Sequence, residues 1–221
     1  MEIQVVRQIL EWNEDCSNEI KDELKNNDIF LINVMGSPGA GKTSLIISLI
    51  KALSPKYRCG VIEGDVAGQI DADKMAKMGI PVVQLNTEGA CHIEAMSIKH
   101  ILPHFSLDNL DVLFVENIGN LVCPAEFNIG EDFRLAILSV PEGDDKVIKY
   151  PLLFSTTDVL AINKADMLEH FEFDLPRVEQ DARNVNPSIT IFNVSSRTNE
   201  GITSLAECLG NEIDRKKTKK V

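Results

Sequence analysis

A glycine-rich segment, Gly36-Ser37-Pro38-Gly39-Ala40-Gly41-Lys42-Thr43, constrains the fold of this 221-residue chain more than any other feature. One apolar run, residues 29–35, precedes it, and another, residues 45–50, follows it. The order is therefore strand, loop and helix. Backbone N–H groups at a helix N-terminus bind phosphate, and a Cβ atom at Gly36 or Gly41 would block that approach. The segment predicts a nucleotide-binding P-loop.

Two side chains of this loop have predicted roles. Lys42 supplies positive charge to the β- and γ-phosphates, and the hydroxyl of Thr43 ligates Mg²⁺. Glycine-rich turns also join strands to helices without a ligand, but here every motif residue has the required spacing. The other residues that we expect to contact the nucleotide here are Gly36, Ser37, Gly39, Ala40, Gly41 and Ser44.

Length and charge exclude several classes of protein. The chain is long enough for one α/β domain and too short for two ordinary ones. No run approaches the ~20 apolar residues of a membrane span, and the N-terminus lacks the apolar segment of a signal peptide. A formal net charge of −12 opposes binding to nucleic acid and to acidic membranes. We therefore expect a soluble, cytoplasmic protein that binds neither.

One basic cluster interrupts the acidic composition. It covers residues 215–220 and contains one arginine and four lysines. Basic side chains stabilise the C-terminal end of a helix through its dipole. The pattern therefore predicts a solvated helix end rather than a binding surface.

Strand-like and helix-like runs alternate along the chain. The predicted strands cover residues 29–35, 57–63, 81–85, 111–116, 134–140, 158–162 and 189–194. The predicted helices cover residues 2–26, 69–78, 93–102 and 202–217, besides the one that follows the P-loop. A connection with Pro and Gly joins the strands at 134–140 and 158–162. This alternation predicts an α/β fold with a doubly wound, mainly parallel sheet and helices on both faces. We expect an N-terminal helix over 1–28 and a single P-loop domain over 29–221.

The identity of the nucleotide's base is predicted by a second motif, Asn163-Lys164-Ala165-Asp166, which directly follows a strand. A carboxylate at Asp166 accepts hydrogen bonds from N1–H and the 2-amino group of guanine, a pair of donors that adenine lacks. Ser195 and Ser196, followed by Arg197, end the next strand and match the loop that closes over guanine in GTPases. An Asn-Lys-x-Asp segment alone is also compatible with a helix cap. Together with the P-loop it predicts a GTP and GDP site.

Acidic residues at two other strand ends are candidates for Mg²⁺ and for hydrolysis. Asp65 and Glu116 are the predicted ligands, and the N–H group of Gly119 is placed to contact the γ-phosphate. Asp65 or Asp71, and less directly Asp73, are the candidates to orient the attacking water, although acidic residues at a helix start are equally common. Since no glutamine or arginine is identified as an accelerator, we expect slow turnover.

A second group of candidate ligands comprises Cys91, His92 and Cys123. Thiolate and imidazole suit Zn²⁺ or Ni²⁺, and the sequence does not choose between them. Cys91 precedes the predicted helix 93–102, whose dipole is expected to lower the thiol pKa. From spacing alone, buried thiols and a surface histidine explain these residues better. Cys16, Cys59 and Cys208 are assigned to the core.

Several motifs together resemble one family, the HypB nickel-incorporation GTPases of hydrogenase maturation. They are the P-loop, Glu63-Gly64-Asp65, Asn86-Thr87 through Cys91-His92, Glu116-Asn117-Ile118-Gly119-Asn120-Leu121-Val122-Cys123-Pro124, Glu142-Gly143-Asp144-Asp145-Lys146 through Lys149-Tyr150-Pro151, and Asn163 to Asp166. The resemblance covers residues 1–215.

The resemblance implies a SIMIBI-class GTPase that dimerises with GTP and helps to deliver Ni²⁺ to the large subunit of [NiFe]-hydrogenase together with other maturation factors. It implies that Cys91, His92 and Cys123 are metal ligands at the dimer interface, and that Lys149 reaches the guanine of the opposite subunit. The chain has neither an N-terminal Cys-rich motif nor a His-rich stretch, which speaks against nickel storage.

Two alternatives stay open at this point. The urease accessory GTPases share the SIMIBI core, but their Cys-Pro-His motif differs from the separate Cys-His and Cys-Pro found here. A metal-dependent dimerisation or carrier module would bind the nucleotide only structurally. An ATPase or a small-molecule kinase is disfavoured by Asn163 to Asp166.

Overall fold

A seven-stranded sheet forms the centre of the computed structural model, which describes residues 2–65, 68–87 and 89–218, with side chains from Glu11 onward. The strand order is β3-β2-β4-β1-β5-β6-β7, and each neighbouring pair is parallel. The strands are β1 Phe30–Gly36, β2 Cys59–Asp65, β3 Val82–Asn86, β4 Val112–Glu116, β5 Phe133–Ser139, β6 Val159–Asn163 and β7 Thr190–Asn193. The predicted doubly wound fold is confirmed.

Helices cover both faces of this sheet. The described α-helices are α1 Glu2–Asn26, α2 Lys42–Leu53, α3 Ile70–Lys77, α4 Ala95–Ile101, α5 Cys123–Glu126, α6 Lys146–Lys149, α7 Pro151–Ser155, α8 Leu175–Val185 and α9 Ile202–Thr218. Helices on both sides explain why the central strands are continuous apolar runs, since both faces of a parallel sheet are buried. Within the described residues, no helix is both long enough and apolar enough to cross a membrane.

The core is divided by the sheet. On one face, α2 and α9 contribute Leu45, Leu49 and Leu209 to one cluster. On the other face, α1 and α4 contribute Ile20 and Ile98 to a second cluster. Towards the β6–β7 edge, a third cluster contains apolar side chains of α7 and α8. The three clusters therefore fix both faces of the sheet, from whose carboxyl edge the loops extend.

The N-terminal helix α1 packs on α4 and β1. Ile20 and Leu24 are fully buried, and Cys16 is nearly so. The side chains of Val5, Val6, Ile9 and Leu10, which belong to the predicted apolar pattern of this helix, lie outside the described ones.

Two connections contain helices that the sequence analysis did not assign. The Pro- and Gly-containing segment between β5 and β6 holds α6 and α7, and Pro151 occupies the first turn of α7. The sequence analysis also assigned no helix between β6 and β7, where α8 lies. Val178 and Ala182 of α8 are fully buried, and Leu175 and Val185 pack against the same cluster. Since these apolar residues recur at the spacing of a helix face, the signal was present in the sequence and was missed.

The basic end of α9 is not simply solvated, which corrects a prediction. Lys216 donates to the backbone carbonyl of Ile29 at 2.8 Å and contacts Asp132 at 2.5 Å. Lys217 donates to Asp111 at 2.8 Å. The helix end is thus fixed to the amino edge of the sheet by ion pairs, whereas Lys219 and Lys220 lie outside the described residues.

Candidate functional site

The P-loop connects β1 to α2 at the carboxyl edge of the sheet. Gly39 and Gly41 have φ values of 77° and 92°, which L side chains rarely adopt. A Cβ atom on Gly36 would lie 2.6 Å from the carbonyl oxygen of Ile137, and one on Gly41 would lie 2.6 Å from Nδ2 of Asn163. Gly36 and Gly41 are therefore required by close packing against residues of β5 and β6 as well as by the approach of a ligand.

Lys42 is held over the loop. Its Nζ donates to the carbonyl oxygens of Gly36 and Ser37 at 3.2 and 3.1 Å. Burial lowers the pKa of Lys42, while the nearby Glu116 raises it. The ammonium group thus occupies the centre of the loop, as binding of β- and γ-phosphates requires.

Beside Lys42, acidic side chains line a cleft of about 410 Å³. The hydroxyl Oγ1 of Thr43 lies 2.8 Å from Oε1 of Glu116 and 3.1 Å from Oδ2 of Asp71. Asp65 and Glu63 also line this cleft. The fold therefore brings together the predicted residues Thr43, Asp65, Asp71 and Glu116, whereas Asp73 is exposed on α3. Val66 and Ala67, which lie between Asp65 and Asp71 in the sequence, are outside the described residues.

This cleft fits a hydrated divalent cation. Burial raises the pKa of Glu116 to about 7, and burial together with Glu116 raises that of Glu63 to about 7. The Oε2 atoms of both residues are buried and have no hydrogen-bond partner among the described residues. Unpartnered carboxylate oxygens are the ligands that Mg²⁺ and its bound waters need.

A second cleft of about 370 Å³ adjoins the first and shares Gly41 and Ser44 with it. Asp166 lies in it, where Ser195 Oγ donates to one carboxylate oxygen at 2.6 Å and Arg197 Nε lies 3.2 Å from the other. Asn163 Nδ2 donates to the carbonyl of Ala40 at 2.9 Å, which links this cleft to the P-loop.

Three further residues are predicted to contact guanine, and two of them line the same cleft. Lys164 donates to the carbonyl of Gly39 at 2.7 Å, and Ser196 lies 3.4 Å from Oδ1 of Asn163. Lys149 lies on α6, is exposed, and pairs with Asp145 in its own chain. The fold therefore unites every predicted guanine residue in one cleft except Lys149.

The candidate metal ligands also meet in space. One ligand atom each from Cys91, His92 and Cys123 lie within 4.8 Å of one another. The two sulfur atoms are 3.1 Å apart, and Cys91 Sγ is 3.6 Å from His92 Nδ1. This proximity across 32 positions, with Cys91 exposed and Cys123 half-buried, favours metal binding over the buried thiols and surface histidine that spacing alone suggested.

The state of the imidazole suits a metal. Burial lowers the pKa of His92, so the neutral ring that ligates metal is favoured. The ring stacks on Phe127 with centroids 4.0 Å apart, which fixes its orientation. Its Nε2 is buried without a hydrogen-bond partner in the described part of the chain.

The prediction for the Cys91 thiol is wrong. Helix α4 begins at Ala95, not at residue 93, so Cys91 lies outside its first turn. The pKa of Cys91 is raised, chiefly because its thiol hydrogen-bonds to that of Cys123. The other cysteines match their assignment, since Cys16 and Cys59 are buried and Cys208 is half-buried.

Asn117, to which the sequence analysis gave no role, joins the metal cluster to the nucleotide cleft. It is 1% exposed, and its Oδ1 accepts from the backbone N–H of Ile93, next to His92, at 3.2 Å. Its Nδ2 donates to Asn33 of β1 at 3.2 Å. The signal in the sequence was a polar residue directly after a buried strand.

The loop after β4 also contacts the P-loop. A Cβ atom on Gly119 would lie 2.8 Å from the backbone nitrogen of Pro38. Asn120 donates its backbone N–H to the carbonyl of Gly36 at 3.2 Å and its side-chain amide to the carbonyl of Cys91 at 3.1 Å. Residues between Glu116 and Cys123 thus contact both the phosphate loop and the metal cluster.

Comparison with known proteins places the chain in a family. The family model for the CobW/HypB/UreG nucleotide-binding domain matches residues 13–193. A hydrogenase maturation factor HypB from Azotobacter vinelandii is 41% identical over 90% of this chain, which spans 66% of that protein. A probable hydrogenase maturation factor HypB from Methanocaldococcus jannaschii is 36% identical, with 96% of each chain covered.

A solved structure has the same fold. The crystal structure of HypB from Helicobacter pylori in complex with nickel superposes with a TM-score of 0.87 at 36% identity, covering 92% of this chain and 95% of that one. The chain belongs to the CobW/HypB/UreG family of nucleotide-binding proteins and, within it, to the HypB hydrogenase maturation factors.

Proposed function

We propose that this chain is a cytoplasmic metallochaperone that binds GTP with Mg²⁺, hydrolyses it slowly to GDP and phosphate, and assists nickel insertion into [NiFe]-hydrogenase. The names of its relatives and the nickel complex of the Helicobacter pylori protein support this proposal. The observation that carries it is the position of Asn117, which hydrogen-bonds to the segment of the metal cluster and directly follows the strand that ends at Glu116.

For hydrolysis, Lys42 binds the β- and γ-phosphates, and Thr43, Asp65 and Glu116 hold the magnesium ion. When bound, Mg²⁺ neutralises charge that develops on the phosphate oxygens. Asp71 accepts from the hydroxyl of Thr43 at 3.1 Å and so is anchored beside the γ-phosphate position, where it orients the attacking water. The N–H group of Gly119 contacts the same phosphate. Turnover is slow because no arginine or glutamine lines the described part of this cleft.

Selectivity for guanine rests on Asp166. Its carboxylate, supported by Ser195, accepts from N1–H and the 2-amino group of the base, and Lys164 and Ser196 border the same cleft. Lys149 is exposed on α6, pairs with Asp145 and is not among the residues that line this cleft. Its role is therefore at the guanine of a second subunit.

The metal cluster supplies three ligands, and a tetrahedral or square-planar ion needs four. A two-fold axis next to Cys91 and Cys123 would bring a second set to the same place. Dimerisation with GTP thus completes the site for Ni²⁺ or Zn²⁺, and hydrolysis releases the ion to other maturation factors and the hydrogenase large subunit. In this scheme residues 29–221 form the GTPase domain, and the helix within 1–28 packs on it.

The test is the oligomeric mass of the protein in solution with Mg²⁺ and either GDP or a non-hydrolysable GTP analogue, with and without Ni²⁺. The wild type is compared with Cys123→Ala and with Cys208→Ala, a half-buried thiol outside the cluster that serves as the matched control. We expect the analogue to produce a dimer in the wild type and the control, with nickel stoichiometry changing at the same time.

If nickel no longer changes the mass of Cys123→Ala but still changes that of the wild type and of Cys208→Ala, the ion lies at the cluster. Dimerisation by metal that ignores the nucleotide would instead support a carrier module whose nucleotide is structural. A mass and a metal content that both ignore the nucleotide would refute the proposed coupling.

A further inference from the structure

Glu63 is a buried carboxylate that the roles assigned above leave unused. It is 4% exposed, on the fifth position of β2, and it lines the same cleft as Lys42 and Thr43. Its Oε2 atom has no hydrogen-bond partner within the described residues. Leaving a buried carboxylate oxygen unpaired destabilises a folded protein. Such a group is therefore informative about a ligand.

The position of Glu63 is fixed by the register of the sheet. Glu63 of β2 lies directly opposite Glu116 of β4 in the parallel pairing. Residues paired in this way point to the same face of the sheet, and here both side chains line the cleft. Two ionised carboxylates side by side in a buried cleft repel each other, and a cation or its hydration shell between them relieves this repulsion.

The hydrogen bonds distinguish the two residues. Glu116 contacts the hydroxyl of Thr43 at 2.8 Å, as expected of a direct ligand of the ion. Neither Thr43 nor the ammonium group of Lys42 hydrogen-bonds to Glu63 in the described structure, since Lys42 donates to carbonyl oxygens of the P-loop. Glu63 therefore lies in the cleft beside Thr43 and Lys42 without a hydrogen bond to either.

We propose that Glu63 is a positioning residue for magnesium, which accepts a hydrogen bond from a water molecule bound to the ion rather than binding the ion itself. Mg²⁺ loses its water reluctantly and keeps several bound waters in protein sites. Each water needs an acceptor, and the buried oxygen of Glu63 supplies one. This inference rests on the proposed nucleotide site and assigns it a residue that the sequence analysis missed.

The inference makes an unusual prediction about the nucleotide without the ion. When Glu63 is ionised it repels the phosphates, and when it is protonated it adds no charge. Removal of the carboxylate should therefore not weaken nucleotide binding when Mg²⁺ is absent. With Mg²⁺ present, loss of an acceptor in the outer shell lowers metal affinity by about 10- to 100-fold. A residue that merely supported the fold would weaken binding in both conditions.

The experiment measures the rate at which a fluorescent GDP derivative is released during a chase with unlabelled GDP, across a series of buffered free Mg²⁺ concentrations that starts in EDTA. We compare the wild type with Glu63→Gln, Glu63→Asp and Glu172→Gln. Glu172 is the matched control because it is an exposed glutamate between β6 and α8, outside the cleft. A thermal melt without nucleotide accompanies each variant.

We expect Glu63→Gln to need about tenfold more Mg²⁺, or more, to slow release by half. Its release rate in EDTA should equal that of the wild type or be slower, and its melting temperature without nucleotide should not fall. Glu63→Asp, which keeps the charge, should lie between the wild type and Glu63→Gln, and Glu172→Gln should behave as the wild type.

Faster release by Glu63→Gln at every Mg²⁺ concentration, EDTA included, would overturn the inference and indicate a structural role. An unchanged Mg²⁺ dependence in Glu63→Gln would also overturn it, while the nucleotide site itself would stand. Wild-type protein that binds no GDP, or binds it without regard to Mg²⁺, would refute the proposed site and this inference together.

Discussion

The sulfur atoms of Cys91 and Cys123 lie 3.1 Å apart, although 32 positions separate the two residues in the sequence. Cys123 begins α5 in the loop after β4, and Cys91 precedes α4. The side-chain amide of Asn120 donates to the carbonyl oxygen of Cys91 and so holds the two segments together. This contact can be tested chemically.

Mild oxidation is expected to join this pair of thiols. Diamide takes two hydrogen atoms from two adjacent thiols and leaves a disulfide. In metal-free protein we expect a Cys91–Cys123 disulfide as the main product, detected by peptide mapping, and prior addition of Ni²⁺ or Zn²⁺ should suppress it because the metal binds thiolates. Cys208→Ser should react as the wild type. A disulfide that forms equally fast with metal present would contradict metal binding at this pair.

Asp166→Asn is expected to change the preferred base. The amide donates as well as accepts, so it loses one acceptor for guanine but matches xanthine, which has a carbonyl at position 2. We expect GDP affinity to fall by about 100-fold or more, with a gain in affinity for XDP, in equilibrium titrations of both nucleotides. Binding of XDP also shows that the variant is folded. Equal loss of both nucleotides would argue against a direct contact between Asp166 and the base.

Gly119→Ala tests the contact between the loop after β4 and the P-loop. The new Cβ atom would lie 2.8 Å from the backbone nitrogen of Pro38, so one of the two loops must move. We expect the free energy of unfolding to fall by about 1–3 kcal/mol, and GDP affinity to fall as well, by chemical denaturation and titration.

Gly210→Ala is the matched control for this substitution. Gly210 lies within α9, where the nearest atom to a new Cβ is the hydroxyl oxygen of Tyr57 at 3.5 Å, an ordinary contact. Alanine is the better helix former, so stability should rise by up to about 1 kcal/mol, with nucleotide binding unchanged. A Gly119→Ala variant as stable and as active in binding as Gly210→Ala would show that the two loops are not tightly packed.

Asp111 links stability to pH. Its hydrogen bonds with Arg58 hold the pKa of the carboxyl well below its usual range, and Lys217 of α9 adds to this. A folded-state pKa below the unfolded value of about 3.9 means that the stabilisation is complete above that pH and is lost as the pH falls towards the folded pKa.

Asp111→Asn should therefore lower the free energy of unfolding by about 1–2 kcal/mol at pH 7. The difference from the wild type should shrink as the pH falls below about 4. Urea unfolding over this range measures both quantities. A difference that does not depend on pH would mean that the charge of Asp111 contributes nothing.

The features of this protein that depend on local sequence pattern could be predicted without its structure. Three local features were enough to predict the fold. They are the glycine-rich loop at residues 36–43 between a strand and a helix, the segment from Asn163 to Asp166, and the alternation of strand-like and helix-like runs. Phosphate binding and a parallel sheet both depend on such spacing along the chain. Helix α8 was missed although its apolar residues recur at helical spacing, because most of its other residues are polar or charged and the segment resembles an exposed loop.

Which residues meet at the carboxyl edge of the sheet became visible only in the folded structure. The register of β2 against β4 places Glu63 beside Glu116, and the packing of two loops places Cys91 against Cys123. Neither relationship leaves a local signal, since residues far apart in sequence are brought together only by strand pairing and loop packing. Burial, which gives Glu63 its unpaired oxygen and His92 its neutral ring, is likewise a property of the folded chain alone.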